Sequence, residues 1–549
     1  MKNFIKSSLI LLLFVVGLLS IQAQNTPYDK ILTDEFSPHP SGATAIVTKG
    51  EETVYLGAVG TANIELGVEM NPEHIFRIGS ITKQFTSVAI MMLEEEGKLN
   101  TGDLFTKYIP EYPIGDRKVT IAQLLNHTSG IKSYTGMPGF MQNNTREFYE
   151  VDSLIDVFDE EPFDFEPGTQ WSYNNSGYIL LGAIIERVSG MTYAEFLHEK
   201  IFGPLNMTNT YYDDFHQIIP NRIPGYSPTN NGVNNANYLD MSIPYAAGSL
   251  LSNVEDLSKW NKAVFDGQLI SKASMDKIFK STVLADGTEQ PYGFGWGVDK
   301  FQGSKVYQHG GGIFGFLTMG IYAPDEDVYV AVLSNCNCAP PESTANRLLG
   351  IALGKSIERE EITMEESELK KYVGTYEIEE ADSKRFISLE KGKLYSQRDE
   401  GRKFEIYPFG KDKFALKGSP SAIEFVREDG KVVGQYLVQI SGDKDYARRT
   451  SMKVEMKEKV NVPEAVLKTY VGKYELNPGM VLEITMEDEK LMGAPTGQPG
   501  AELVARSNTE FAVPDFGVKI VFKVNDSGIC EGMTFTQGPQ TMEAKKLEE

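Results

Sequence analysis

The stretch Phe76-Arg77-Ile78-Gly79-Ser80-Ile81-Thr82-Lys83 opens a long helical pattern and decides how the rest of the chain is read. From Ser80 to Glu96, apolar residues recur at Phe85, Val88, Ala89, Met92 and Leu93, and Gly97 follows as a stop. That spacing predicts an amphipathic helix. Ser80 and Lys83 are three residues apart at its start, so their side chains share one face about one turn apart. A serine hydroxyl is a weak nucleophile until a neighbouring base takes its proton. A lysine serves as that base only where burial and positive surroundings, a helix N-terminus among them, lower its pKa. The bare spacing is unspecific. It recurs at Ser129, Ser274, Ser367, Ser388 and Ser441, where an N-cap serine beside a surface lysine is the ordinary reading. Context singles out Ser80: Phe76-Arg77-Ile78-Gly79 before it and a largely apolar helix after it.

Two further motifs follow in order. Trp171-Ser172-Tyr173-Asn174-Asn175-Ser176-Gly177 places Tyr173 and Asn175 two residues apart in an expected loop. A tyrosinate near ammonium groups relays protons to a leaving group, and Asn175, pointing the same way, binds a substrate carbonyl. His309-Gly310-Gly311-Gly312 then precedes an expected strand. Its glycines let backbone approach a substrate closely and donate N–H groups. The N–H groups of Ser80 and Gly312 are candidates for an oxyanion hole, and His309 for substrate binding or proton transfer. Each motif alone is a common turn. As an ordered set they point to serine acyl transfer on amides, esters or lactams.

Around the motifs, residues 28–355 mix helix and strand signals. Val54 to Gly60 reads as a strand, Gly177 to Val188 as a second apolar helix, and Phe316–Tyr322 with Val328–Leu333 as an apolar hairpin. This predicts an α+β domain with a helical part against an antiparallel sheet. The last third is an internal repeat. Leu369-Lys370-Lys371-Tyr372-Val373-Gly374-Thr375-Tyr376-Glu377-Ile378 returns as Leu467-Lys468-Thr469-Tyr470-Val471-Gly472-Lys473-Tyr474-Glu475-Leu476, with seven of ten positions identical at an offset of 98. Phe414 with Phe511, Phe425 with Phe522 and Ala447 with Ala544 keep the register within a residue. Residues 367–455 and 463–549 are therefore read as two copies of one module. Hairpin signals with Asp429-Gly430 and Ser527-Gly528 at the turns predict a small antiparallel barrel for each. Residues 358–366 and 457–463 read as linkers.

At the N-terminus, a basic start with Lys2 and Lys6, an apolar run from Leu9 to Leu19 and the small-residue end Ile21-Gln22-Ala23 form the layout of a cleaved signal peptide over residues 1–23. The run is too short to span a bilayer, so no stable membrane insertion is expected after cleavage. Export to the periplasm or the extracellular space follows. The formal charge of −23 becomes −25 once Lys2 and Lys6 leave. Such a surface repels nucleic acid and anionic membrane. Three cysteines, Cys336, Cys338 and Cys530, make no disulfide scaffold, and Cys336-Asn337-Cys338 reads as two partly buried thiols. With no HExxH pair and no second ligand pair, neither a catalytic metal nor another cofactor is expected. His127, Trp296, Tyr372 and Tyr470 read as packing residues.

The three ordered motifs resemble those of the penicillin-recognising serine hydrolases: class C β-lactamases, DD-peptidases, D-aminopeptidases and related esterases. Leu125-Asn126-His127-Thr128-Ser129-Gly130-Ile131, Ala247-Gly248-Ser249-Leu250-Leu251-Ser252 and Tyr292-Gly293-Phe294-Gly295-Trp296-Gly297 match as well. The resemblance covers roughly residues 28–355. It implies an acyl-enzyme on Ser80, Lys83 and Tyr173 as the general-base pair, Asn175 as substrate binder, and residues 309–312 as the opposite wall of the cleft. The chain departs from the lactamases, which usually carry Lys-Thr-Gly at the third motif. His-Gly-Gly looks like the peptidase and esterase branch and lacks the extended cation that holds a β-lactam carboxylate. The two repeats resemble the lipocalin-like barrels of D-aminopeptidase relatives, which implies a barrel loop reaching the active site. The reading is an exported serine hydrolase acting on a small-molecule or peptide substrate, with D-amino-acid peptides favoured. A carboxylesterase or weak β-lactamase of the same fold is the alternative, and a non-catalytic binding protein the rival of another class.

Overall fold

The computed structural model describes residues 26–229, 232–379, 381, 383–399, 401–454, 460–477, 480–487, 489–495, 500–513, 516–525, 527–537 and 540–547. The expected signal peptide over 1–23 lies outside the described residues, as do residues 455–459, which include the start of the second expected linker. No helix among the described residues is long and apolar enough to cross a membrane.

A seven-stranded antiparallel sheet organises the first part of the chain. Its order is Gly297–Phe301, Ser304–Ile313, Phe316–Ala323, Val328–Ser334, Gly42–Lys49, Glu52–Asn63 and Val68–Glu69. The apolar run Val328–Ser334 is central and buried throughout, because the sheet is covered on both faces. Adjacent residues of the neighbouring strand show this division. Ala45 and Val47 pack into a cluster with Ile31, Leu32, Leu348 and Leu349, from the helices Pro27–Phe36 and Pro341–Ala352. Ile46 points the other way, into the larger core that holds Phe85, Val88, Ile184 and Leu257. The period-two pleat thus separates a two-helix layer from the main helical region. The α+β expectation holds, including the hairpin Phe316–Ala323 with Val328–Ser334.

Both expected helices form. Thr82–Glu95 follows the short turn Gly79–Ile81, and Asn175–Ser189 is capped by the Asn174 side chain, which accepts from Gly177 N. One expectation is corrected. Cys336 and Cys338 are joined in a disulfide. The chain turns just after Val328–Ser334 and brings their Cα atoms to 5.1 Å, a span a disulfide bridges. Cys530 remains a buried free thiol.

The two repeats build matching sheets. The first is a closed eight-stranded barrel from Gly374–Ile378 to Lys444–Ser451. The second is a nine-stranded sheet whose edge strands, Ala501–Glu502 and Val504–Ala505, are separated in sequence only by Leu503, so it nearly closes on itself. In the first, Tyr376 donates to Tyr372 O at 2.6 Å, and Tyr372 packs on Phe414 and Phe425. In the second, Tyr474 donates to Tyr470 O at 2.7 Å, and Tyr470 packs on Phe511 and Phe522. The repeated Tyr-Val-Gly-x-Tyr stretch is thus one corner built twice, and Tyr372 and Tyr470 are packing residues as read from the sequence.

The first barrel touches the seven-stranded sheet at an outer turn. Gln302 N donates to Ile440 O at 2.8 Å and Gly303 N to Ser441 O at 2.7 Å. The resemblance implied a loop at the active site. The observed barrel loop instead meets the turn joining Gly297–Phe301 to Ser304–Ile313.

Candidate active site

Ser80 sits in the turn Gly79–Ile81, at the mouth of the helix that carries Lys83. Gly79 adopts a φ of +52°, and a Cβ there would lie 3.0 Å from Gly312 N. The serine turn therefore runs directly against the glycine-rich strand. Gly311 is tighter still: an added Cβ would lie 2.0 Å from Ile78 O and 2.2 Å from Thr318 Oγ1. Thr318 Oγ1 donates to Ile78 O at 2.9 Å and fastens the two elements together. Only glycine at 79 and 311 permits this approach.

Lys83 is fully buried. Its Nζ lies 3.2 Å from Ser80 Oγ, 2.8 Å from Asn175 Oδ1 and 2.8 Å from Ala247 O. All three contacts are uncharged oxygens, so nothing offsets the loss of water, and burial pushes the amine well below the usual lysine range. Asn175 is the first residue of its helix rather than part of a loop. Its Nδ2 donates to Thr135 Oγ1 at 2.9 Å, so both ends of its amide are already engaged.

The Tyr173 hydroxyl lies near Ser80, and its ring lies 4.8 Å from Lys83 Nζ. The residue is 37 % exposed, yet burial of the hydroxyl raises its pKa above that of a free phenol, outweighing the lowering effect of the nearby Ser80. The resting site therefore pairs a phenol with a lysine that burial shifts toward its neutral form, in place of the expected tyrosinate and ammonium.

Behind Tyr173 runs a chain of hydrogen bonds that sets two tautomers. Asn174 N donates to His127 Nδ1 at 3.1 Å, so the His127 proton sits on Nε2, 3.2 Å from Tyr292 Oη. Tyr292 Oη lies 3.0 Å from His309 Nε2, and His309 Nδ1 lies 2.6 Å from Gly310 O, a pure acceptor. His309 thus donates from Nδ1 and accepts at Nε2, and the order is His127 to Tyr292 to His309 to Gly310. Burial holds both imidazoles neutral: His127 well below its ordinary value and His309 at about 4. The His127 ring also lies 4.4 Å from the Tyr173 ring. Its packing role is confirmed, but at the site itself.

A cleft of 130 Å³ opens over Ser80, lined by Gly312, Asn175, Tyr134, Met141, Ile243 and Phe314 among others, none of them charged. A larger cavity of 940 Å³ shares Leu239 and Phe314 with it. No barrel residue appears among the described residues lining the Ser80 cleft.

The structure therefore brings Ser80, Lys83, Tyr173 and Asn175 together, with Gly311 and Gly312 against the serine turn. Gly310 instead faces Met319 and accepts from His309, whose nitrogens are both occupied. The sequence reading assigned no role to Tyr292, Thr135 or Ala247. Tyr292 and Ala247 lay in stretches recognised as family-like, so a signal for them existed. Trp296 packs edge-on against Phe279, and Gly295 beside it abuts Lys83 O.

A beta-lactamase family model matches residues 33–353, and a second model, described as Domain of unknown function (DUF3471), matches residues 456–548. Penicillin-binding protein 4* of Bacillus subtilis (strain 168) is 27 % identical over 441 residues, which is 75 % of this chain and 96 % of the relative. Among solved structures, a D-stereospecific amidohydrolase from Streptomyces sp. is 28 % identical with a TM-score of 0.51, covering 58 % of this chain and 96 % of that one. An octameric penicillin-binding protein homologue from Pyrococcus abyssi is 26 % identical with a TM-score of 0.54, covering 77 % and 99 %.

Proposed function

Because this chain belongs to the beta-lactamase family and is a serine hydrolase of that family, we propose that it cleaves amide bonds next to D-amino-acid residues through an acyl-Ser80 intermediate. The observation that carries the mechanism is the environment of Lys83. A neutral amine has two N–H groups and one lone pair. Asn175 Oδ1 and Ala247 O are pure acceptors and take the two N–H groups, which leaves the lone pair for the Ser80 hydroxyl 3.2 Å away.

Ser80 Oγ then attacks the substrate carbonyl while its proton passes to Lys83 Nζ. The N–H groups of Ser80 and Gly312 receive the developing oxyanion. Tyr173, a phenol near Ser80, gives its proton to the departing amine and regains one from Lys83. Water releases the acyl group by the same steps in reverse. Asn175 acts here as a positioning residue that aims Lys83. His309, Gly310 and Gly311 act by holding the strand that presents Gly312.

The D-configuration is supported by the similarity to the D-stereospecific amidohydrolase. The 940 Å³ cavity beside the cleft leaves room for an extended peptide. The uncharged cleft lining favours substrates without a carboxylate near the scissile bond, and it equally favours a carboxylesterase as second reading. Export, and the division into a signal peptide, a catalytic unit over 28–355 and two barrel units over 367–455 and 463–549, belong to the same proposal.

The test is hydrolysis of a D-alanine anilide, an L-alanine anilide and a short-chain nitrophenyl ester by the protein and its Ser80→Ala variant. Turnover of the D-anilide that is lost in the variant supports the proposal. Ester hydrolysis alone transfers it to the esterase reading, and full activity in Ser80→Ala refutes both.

A further inference from the structure

Among the described residues, the first barrel buries polar side chains and the second does not. On the strand Ser383–Glu390, Arg385 is 8 % exposed, and among the described residues its one hydrogen bond runs from Nη1 to Ser396 Oγ at 3.3 Å. It makes no ion pair among the described residues. Buried charges are ordinarily paired with a counter-charge. Here burial, then the neighbouring Arg398, push the guanidinium down to about 10.

Arg398 is the direct cross-strand partner of Arg385, and the buried Arg385 and the exposed Arg398 line a partly open hollow of 160 Å³ together with Asp445, Leu437, Tyr446 and Ala447. Among the described lining residues the one carboxylate is Asp445, which accepts from Gln439 Nε2 at 2.8 Å and makes no ion pair with Arg385. One pair along the barrel wall stands Gln435, opposite Ala447 and on the same face. Gln435 is fully buried, and neither its Nε2 nor its Oε1 has a partner.

The second barrel shows that the fold does not need these groups. Tyr376 pairs with Arg385, whereas Tyr474 pairs with Leu482. Arg385 pairs with Arg398, whereas Leu482 pairs with Pro495. Gln435 stands opposite Ala447, whereas Met533 stands opposite Ala544. The same wall is therefore built with Leu482, Pro495 and Met533 in the second copy. Leu482 and Met533 are buried there in an apolar core.

We propose that the first barrel, and not the second, binds a small carboxylate of about amino-acid size. Its carboxylate takes the free N–H groups of Arg385 and pairs with its buried charge, and Gln435 bonds a further polar atom of the same ligand. The planar guanidinium fork matches a carboxylate in two parallel hydrogen bonds.

The test is calorimetric titration of the full chain with sodium propionate, D-alanine and inorganic phosphate, with the thermal midpoint read in parallel. The Arg385→Leu variant installs the residue that the second barrel carries, so it is compatible with the wall. Propionate or D-alanine is expected to bind and raise the midpoint. Arg385→Leu should weaken that binding about tenfold or more while the unliganded midpoint holds. Gln435→Met should weaken D-alanine more than propionate if the ammonium is the second contact. Equal binding in Arg385→Leu overturns the site, since the Ser80 cleft is intact there. No carboxylate binding at roughly 10 mM overturns it too, and binding of phosphate alone overturns the carboxylate assignment.

Discussion

Replacing Lys83 with methionine separates catalysis from stability in a measurable way. Methionine fills a similar volume without a charge. The variant loses the base for Ser80, and kcat should fall on the order of 10² to 10⁴-fold. Stability behaves differently. The folded protein holds Lys83 with a pKa well below its unfolded value, so between the two pKa values the unfolded chain binds one more proton. Unfolding free energy then rises with pH at up to about 1.4 kcal/mol per unit, and is lost as pH falls. Methionine has no such slope. The difference in stability between wild type and Lys83→Met should therefore shift in favour of wild type by as much as about 2.7 kcal/mol from pH 7 to pH 9. Opposing offsets set the starting point. The variant escapes the cost of burying the amine but strips Asn175 Oδ1 and Ala247 O of donors, at about 1–3 kcal/mol each. Burial, which Lys83→Met leaves in place, keeps His127 and His309 titrating below the window used. The assay is urea unfolding followed by tryptophan fluorescence. The three tryptophans, Trp171, Trp260 and Trp296, all precede the barrels, which are therefore silent. Parallel pH slopes in the two proteins would refute the account of Lys83 as a buried, neutral amine.

The pH–rate profile carries the same logic into catalysis: kcat/KM should rise with pH through the lowered Lys83 pKa, well below the usual lysine range, and fall only in strong alkali because burial raises Tyr173. A rising limb at the ordinary lysine pKa contradicts the mechanism. Tyr292→Phe removes the hydroxyl that joins His127 to His309 and leaves two buried ring nitrogens without partners, so the tryptophan-monitored stability should drop by about 2 kcal/mol or more. A neutral effect means the bridge is not formed in solution. Gly311→Ala puts a methyl group into Ile78 O and Thr318 Oγ1, forcing the strand from the serine turn, and kcat/KM should fall on the order of 10²-fold. Wild-type turnover in that variant shows the strand is free to move without loss.

Much of the site was legible because chemistry leaves short-range traces. Ser80 and Lys83 are one helical turn apart, and that proximity is fixed by the helix alone. Tyr173 and Asn175 were found by order and company. Their working geometry depends on Asn174 capping a helix, which turns Asn175 toward Lys83 and away from open solvent. Tyr292 was not legible as a partner, because nothing local links it to His127, 165 residues earlier, or to His309. The disulfide between Cys336 and Cys338 was missed for a related reason: whether two nearby thiols meet is set by a backbone turn, which composition does not report.

By itself the sequence determined the periodic elements, the α+β pattern, the doubled module and the candidate nucleophile and base, all carried by spacing within a few residues or by repetition. Tertiary structure decided what state those groups are in. Lys83 is favoured as a neutral amine because Asn175, Ala247 and the surrounding core exclude water from it. Arg385 has no ion pair among the described residues because the barrel wall brings Arg398, another cation, beside it. Protonation and pairing depend on the solvent and charge around a group. Those surroundings come from residues far apart in the chain, so only the folded arrangement fixes them.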